Sequence, residues 1–151
     1  MIVLSKLADY GVIVATYLAA HPDRQINAAV LAEETRLPQA TVSKVLKSLA
    51  HAGIVTGHRG AAGGYRLAQD AAATSVASVV AAIDGALGMT QCSVHEPSCD
   101  RHGFCPTRPH WQRINVAVGE ALSAISLADM AETQIRTTSR LPFRSEQSIA
   151  S

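Results

Sequence analysis

The sequence predicts a mainly α-helical chain, interrupted by one small β-hairpin and extended by a long helix towards its C-terminus. Three observations carry this. Aromatic residues are only 4% of the 151 residues while alanine is abundant, which favours helices over sheets. Two stretches of helical apolar period, over 28–35 and 38–51, are separated only by a short turn at Leu37-Pro38. A glycine-rich run then parts two short segments of strand character. Two helices joined by a tight turn, the second basic on its outer face and followed by a hairpin, make a winged helix-turn-helix with a two-stranded β wing.

In chain order, residues 4–20 are expected to form the first helix. Leu4, Leu7, Val12, Val14, Tyr17 and Leu18 supply its apolar positions, and Ser5 is placed to cap it. His21-Pro22 ends it, because the residue before a proline is pushed out of the helical region. Asn27 is the expected N-cap of a second helix, Ala28 to Thr35, with Val30 and Leu31 facing inward. Pro38 is expected in the first turn of a third helix, where its missing amide costs little. That helix runs to about His51 with Val42, Val45, Leu46 and Leu49 as a one-sided stripe, and Gly53 stops it. Ile54, Val55 and Thr56 form the first wing strand, Gly57 to Gly64 the turn, and Tyr65, Arg66 and Leu67 the return strand. Ser75 caps a helix from Val76 to about Asp84, ended by Gly85. A long helix is expected from about His110 to Ser126, with Trp111, Ile114, Val118, Leu122 and Ile125 on one apolar stripe, and a shorter one continues through Leu127 to Ile135. From about Thr137 the periodicity stops, and the tail reads as disordered.

Composition bounds the function. Apolar residues are 48% of the chain, enough for a core, so wholesale disorder is excluded. The net charge of +1 says nothing about partners, but local charge does: from Arg36 to Gln69 there are five Lys or Arg residues and no Asp or Glu. The N-terminal stretch carries Asp9 near its middle and lacks the basic region and uninterrupted apolar run of a secretory signal. No run reaches the ~18 consecutive apolar residues of a membrane span. A cytoplasmic protein with no membrane partner is therefore expected, in a compartment where disulfides are disfavoured. No nucleotide loop, nucleophile–base arrangement or substrate-pocket signature is present, so neither an enzyme nor a small-molecule substrate is expected.

The helix-turn-helix points to double-stranded DNA. An α-helix fits the major groove and reaches base edges with its outward side chains. In the third helix these are Gln39, Thr41, Ser43, Lys44 and Lys47. Gln39, Thr41 and Ser43 are suited to bases or phosphates, and Lys44 and Lys47 to neutralising phosphate. Arg59 sits near the wing tip among glycines that permit close approach to the duplex, as an arginine entering a minor groove requires.

The chain's only three cysteines, Cys92, Cys99 and Cys105, lie within the single segment QCSVHEPSCDRHGFCP. Their spacing, C-x₆-C-x₅-C, is wider than the C-x₂₋₄-C pairs of zinc sites and suits a loop wrapped around a bulky iron–sulfur cluster, with zinc as the alternative. Three thiolates leave a cluster one ligand short, and His95, His102 and His110 stand nearby.

Together these features resemble the iron–sulfur-sensing winged-helix regulators of the IscR and NsrR type, the Rrf-two family. The resemblance rests on LSKLADYG, LPQATVSKVLKSLAHAGIV, HRGAAGGYRLA and the three cysteines, and covers about residues 1–133. CPTRPHWQRIN and SLADMA are similar to the proposed regulators of SUF iron–sulfur assembly within it. It implies a homodimer joined through the long helix, a palindromic operator, and a cluster bound by Cys92, Cys99 and Cys105. Some members use a histidine three residues after the last cysteine, where this chain has Arg108. Others use an acidic residue in the partner's first helix, and Asp9 matches that place. A carboxylate ligand implies a labile site and favours a 4Fe–4S over a 2Fe–2S cluster. The same architecture also serves nitric-oxide-responsive repressors; a zinc-stabilised DNA-binding or adaptor protein is the alternative of another class. The expected division is 1–87 for DNA binding, 88–109 for the cysteine loop, 110–136 for dimerisation, and 137–151 as tail.

Overall fold

The computed structural model describes residues 3–90 and 103–138. Helix α1 spans Lys6–Ala19, with the Ser5 hydroxyl accepting from the Ala8 amide at 3.0 Å. Because the helix begins at that cap, Leu4 stays off its buried stripe and is 40% exposed. Helix α2 spans Ala28–Thr35, and Asn27 caps it by accepting from the Val30 amide at 2.9 Å. Its last turn closes on Arg36, which adopts the left-handed conformation (φ 55°, ψ 35°) usually left to glycine. The left-handed residue thus lies one position ahead of the Leu37-Pro38 turn that the sequence predicts.

Helix α3 spans Gln39–His51. Pro38 is not in its first turn, as the sequence reading placed it, but at the cap position, with an extended backbone (φ −58°, ψ 134°). Its carbonyl still accepts from the Thr41 and Val42 amides. Val42, Val45, Leu46 and Leu49 are fully buried, as their spacing required, and each such side chain contributes ~1.5–3 kcal/mol by leaving water. Gly53 follows with φ +72° and turns the chain into the wing.

Strands β1 (Val55–His58) and β2 (Gly64–Leu67) pair antiparallel, with Val55 opposite Leu67 and His58 opposite Gly64. The hairpin is longer than expected: β1 begins one residue later but runs on through Gly57 and His58, leaving only residues 59–63 as the turn. A bridge between Ile26 and Tyr65 joins its base to the segment before α2.

After a 3₁₀ turn at Ala71–Ala73, helix α4 spans Val76–Asp84 with the expected cap at Ser75 and stop at Gly85 (φ +83°). Helix α5 spans Arg108–Ser123, so it starts two residues before His110 and stops three before Ser126. Ser126 instead caps α6, Leu127–Thr138: its hydroxyl accepts from the Asp129 amide while the Asp129 carboxylate accepts from the Ser126 amide. Thr137 and Thr138 are therefore helical rather than part of a tail, and the rest of the expected tail lies outside the described residues.

The core lies among α1, α2, α3, α4, the wing base and α6. Leu127 (fully buried) and Ala131 of α6 belong to it, and the Val76 and Leu127 amides donate to the carbonyls of Ile125 and Thr74, stitching the start of α4 to the start of α6. Helix α6 thus packs on the same core as α1 to α4. No residue of α5 is buried within the protomer.

Candidate nucleic-acid interface and cysteine loop

The buried stripe of α3 fixes what the helix offers outward. Gln39, Ser43 and Lys47, four residues apart, form one exposed line, and Lys44 is exposed beside it. Thr41 is half-buried, so of the five expected contact residues it is the least available. Among the described residues no carboxylate pairs with Lys44, Lys47 or Arg59, which leaves their charge for an outside anion.

The wing holds Arg59 at the start of its turn, exposed. The glycines around it do different jobs. Gly60 takes φ +121°, which side chains rarely adopt. A Cβ on Gly63 would stand 2.3 Å from the His58 carbonyl oxygen, and one on Gly64 2.7 Å from the Ile26 carbonyl carbon. Gly64 is thus the point where the wing presses against the segment leading into α2. Arg66, on the return strand, belongs to the basic patch of the sequence. It is exposed, and strand alternation was the signal that could have singled it out.

Of the cysteines, Cys92 and Cys99 lie outside the described residues, as do His95 and His102. Cys105 is half-buried, with its Sγ 3.3 Å from the Thr107 hydroxyl and its carbonyl accepting from the Arg108 amide at the first turn of α5. Thr107 sits at the N-cap of α5 without a side-chain capping bond, and Pro109 in the first turn brings no amide that would need one. His110 is exposed on the first turn of α5. The segment after α4 is held to the same helix, because the Met89 amide donates to Asn115 Oδ1 at 2.9 Å. Leu87, Gly88 and Met89 line a groove with Trp111, Asn115 and Val118. Asp9 is exposed in the first turn of α1, its amide donating to the Ser5 carbonyl at 3.1 Å. Thiol sulfur and carboxylate oxygen are donors that iron accepts, so the described part of the proposed ligand set fits a cluster chemically. Among the described residues, no three potential ligands converge.

The apolar stripe of α5 splits between two directions. Trp111 and Val118 turn to the groove and Leu122 packs on the core, while Ile114 (41%), Val116 (58%) and Ile125 just beyond the helix (42%) are exposed. No helix among the described residues is long and apolar enough to cross a membrane.

Comparison with known proteins follows the same lines. The sequence profile of the Rrf2 family, described as iron-dependent transcriptional regulator, matches residues 4–133. The protein named rrf2 from Nitratidesulfovibrio vulgaris is 29% identical over 128 residues, covering 84% of this chain and 85% of that one. The HTH-type transcriptional regulator IscR of Yersinia pseudotuberculosis is 27% identical over 132 residues, covering 87% and 80%. Among solved structures, CymR (YrzC), the global cysteine regulator of B. subtilis, superposes with a TM-score of 0.71 at 25% identity, over 88% of this chain and 98% of its own. IscR of T. potens gives 0.69 at 24% identity over 94% and 93%, a likeness of fold.

Proposed function

This chain belongs to the Rrf2 family of DNA-binding transcriptional regulators, and on that footing we propose that it is a homodimeric sensor whose hold on DNA is set by an iron–sulfur cluster. Cys92, Cys99 and Cys105 would hold the cluster, with Asp9 of the partner protomer as fourth ligand. A 4Fe–4S cluster with three thiolates and one carboxylate would supply an oxidant-sensitive link between loop and helix. The observation that carries the reading is the concentration of all three cysteines in one short segment of sequence between the winged domain and α5. The fold does not choose the signal, since CymR, of similar fold, is described as a cysteine regulator; what supports a cluster is the cysteine-rich segment.

The chain's own residues account for the rest. Ile114, Val116 and Ile125 are exposed apolar side chains on and just after a helix with no buried residue, which supports pairing of two copies along α5. Two copies of α3 related by a two-fold axis suit a palindromic operator. Gln39 and Ser43 line the major groove, Lys44 and Lys47 meet phosphate, Thr41 contributes from its half-buried position, and Arg59 enters an adjacent groove. Release of the link between the loop and α1 would change the spacing of the two recognition helices. The residues after Cys105 and SLADMA support genes of SUF-type iron–sulfur assembly as the target.

The deciding experiment is anaerobic purification with an absorption spectrum, iron, sulfide and zinc content, and DNA affinity before and after cluster removal. Visible absorption with matching iron and sulfide, lost in Cys99→Ala, is the expected result. A colourless protein with stoichiometric zinc would replace the sensor by the structural-zinc alternative. Equal DNA affinity of the cluster-loaded and metal-free forms would end the switching claim.

A further inference from the structure

The exposed cations of the wing divide according to the face of the hairpin they occupy. Pleating places Val55 and Gly57 on one face with their register partners Leu67 and Tyr65. That face is turned to the core: Val55 is 2% exposed, and the Tyr65 ring lies 3.0 Å from where a Gly57 Cβ would stand. Thr56, His58 and Arg66 therefore share the opposite face, and all three are exposed. Thr56 is the register partner of Arg66, and His58 is opposite Gly64. The imidazole thus has no side chain across from it, and Arg66 stands diagonal to it, a separation that a long side chain spans.

Nothing among the described residues uses this group. Among the described residues no carboxylate pairs with the Arg66 guanidinium. The nearest acidic residue along the chain, Asp70, gives its carboxylate to the Ala72 amide at 2.8 Å. An exposed guanidinium flanked by a hydroxyl and an imidazole has the composition of an oxyanion site: one fixed positive charge and several donors. With Arg59 next to His58 in the chain, the oxyanion at hand is a phosphate of the DNA backbone.

We propose that Arg66, with Thr56 and His58, forms a phosphate-binding site on the outer face of the wing, distinct from the groove-entering tip at Arg59. Arg66 supplies the charge; Thr56 and His58 add hydrogen bonds. The wing then grips the backbone with its flank while its tip reads the groove, which fixes the approach of Arg59 without adding sequence preference. This rests on DNA binding by the family fold and is independent of the cluster.

The test is the salt dependence of affinity of the purified full-length protein for two labelled duplexes, one of mixed sequence and one selected by the wild type from a random pool. Arg66→Gln is expected to weaken both about equally, by roughly tenfold at moderate salt, and to reduce the log–log salt slope by about one. Arg66→Lys should keep the slope. His58→Gln and Thr56→Val should weaken binding a few-fold with the slope intact. Arg59→Ala, as the control, should lose preference for the selected duplex. An unchanged slope in Arg66→Gln overturns the proposal, and so does a loss confined to the selected duplex. If Arg59→Ala and Lys44→Ala still weaken binding in that case, DNA recognition by the wing and α3 stands and this site alone falls.

Discussion

Asp84, the last residue of α4, holds Ser5, the N-cap of α1: one carboxylate oxygen accepts from the Ser5 hydroxyl at 2.5 Å and the other from the Ser5 amide at 3.2 Å. Ser5 in turn accepts from the Ala8 amide, so a single serine both caps the helix and ties it to the element that leads into the cysteine loop. Removing the hydroxyl breaks both connections. Ser5→Ala should cost about 1–2 kcal/mol in thermal or denaturant unfolding. Asp84→Asn, which keeps an acceptor oxygen, should cost less than Asp84→Ala. Equal losses in the two Asp84 variants would show that the bond to Ser5 does not matter to stability.

Gly64 backs the wing directly against the Ile26 backbone. A methyl group there would have to displace the Ile26 backbone, since it would stand 2.7 Å from the carbonyl carbon and 2.8 Å from the nitrogen. Gly64→Ala should therefore break the two hydrogen bonds between Ile26 and Tyr65 and destabilise the protein by about 2 kcal/mol or more. DNA affinity should fall with it, because the wing base would shift under Arg59. Wild-type melting and DNA affinity in this variant would contradict the contact.

Thr16 is 6% exposed, and its hydroxyl has no hydrogen-bond partner among the described residues. A buried hydroxyl without a partner costs more than the methyl that would replace it. Thr16→Val should raise stability by about 1 kcal/mol, read as a higher melting temperature at unchanged DNA affinity. A drop in melting temperature would mean that the hydroxyl is satisfied.

Asp129 closes the capping box of α6, and the Ser126 hydroxyl, then the Ser126 amide, holds its carboxyl below the ordinary carboxylate range. The folded value lies below the unfolded one. The stabilisation is therefore fully present above the unfolded pKa, ~3.9, and is lost as pH falls through the folded value. Melting temperatures followed from neutral pH into acid should decline less steeply in Asp129→Asn than in the wild type. Parallel declines would remove the carboxylate from the acid response.

The proposed cysteine ligands and DNA-contact residues are legible as residue types, because thiols, cations and a glycine turn announce their chemistry wherever they stand. The caps at Ser5, Asn27 and Ser75 and the stripe Val42, Val45, Leu46 and Leu49 were legible too, since capping and helical period act within four residues of chain. What the sequence left open depends on contacts between distant segments. That α6 returns to the core through Leu127 and Ala131 was decided by the stitch between Thr74, Val76, Ile125 and Leu127. That Gly64 admits no side chain was decided by Ile26, and the face on which Arg66 stands by its pairing with Thr56. The α5 stripe has the same periodicity throughout, but the groove with Leu87 and Met89 took Trp111 and Val118, leaving Ile114 and Ile125 outward. Periodicity says that a side is apolar; only the packed neighbours say what covers it.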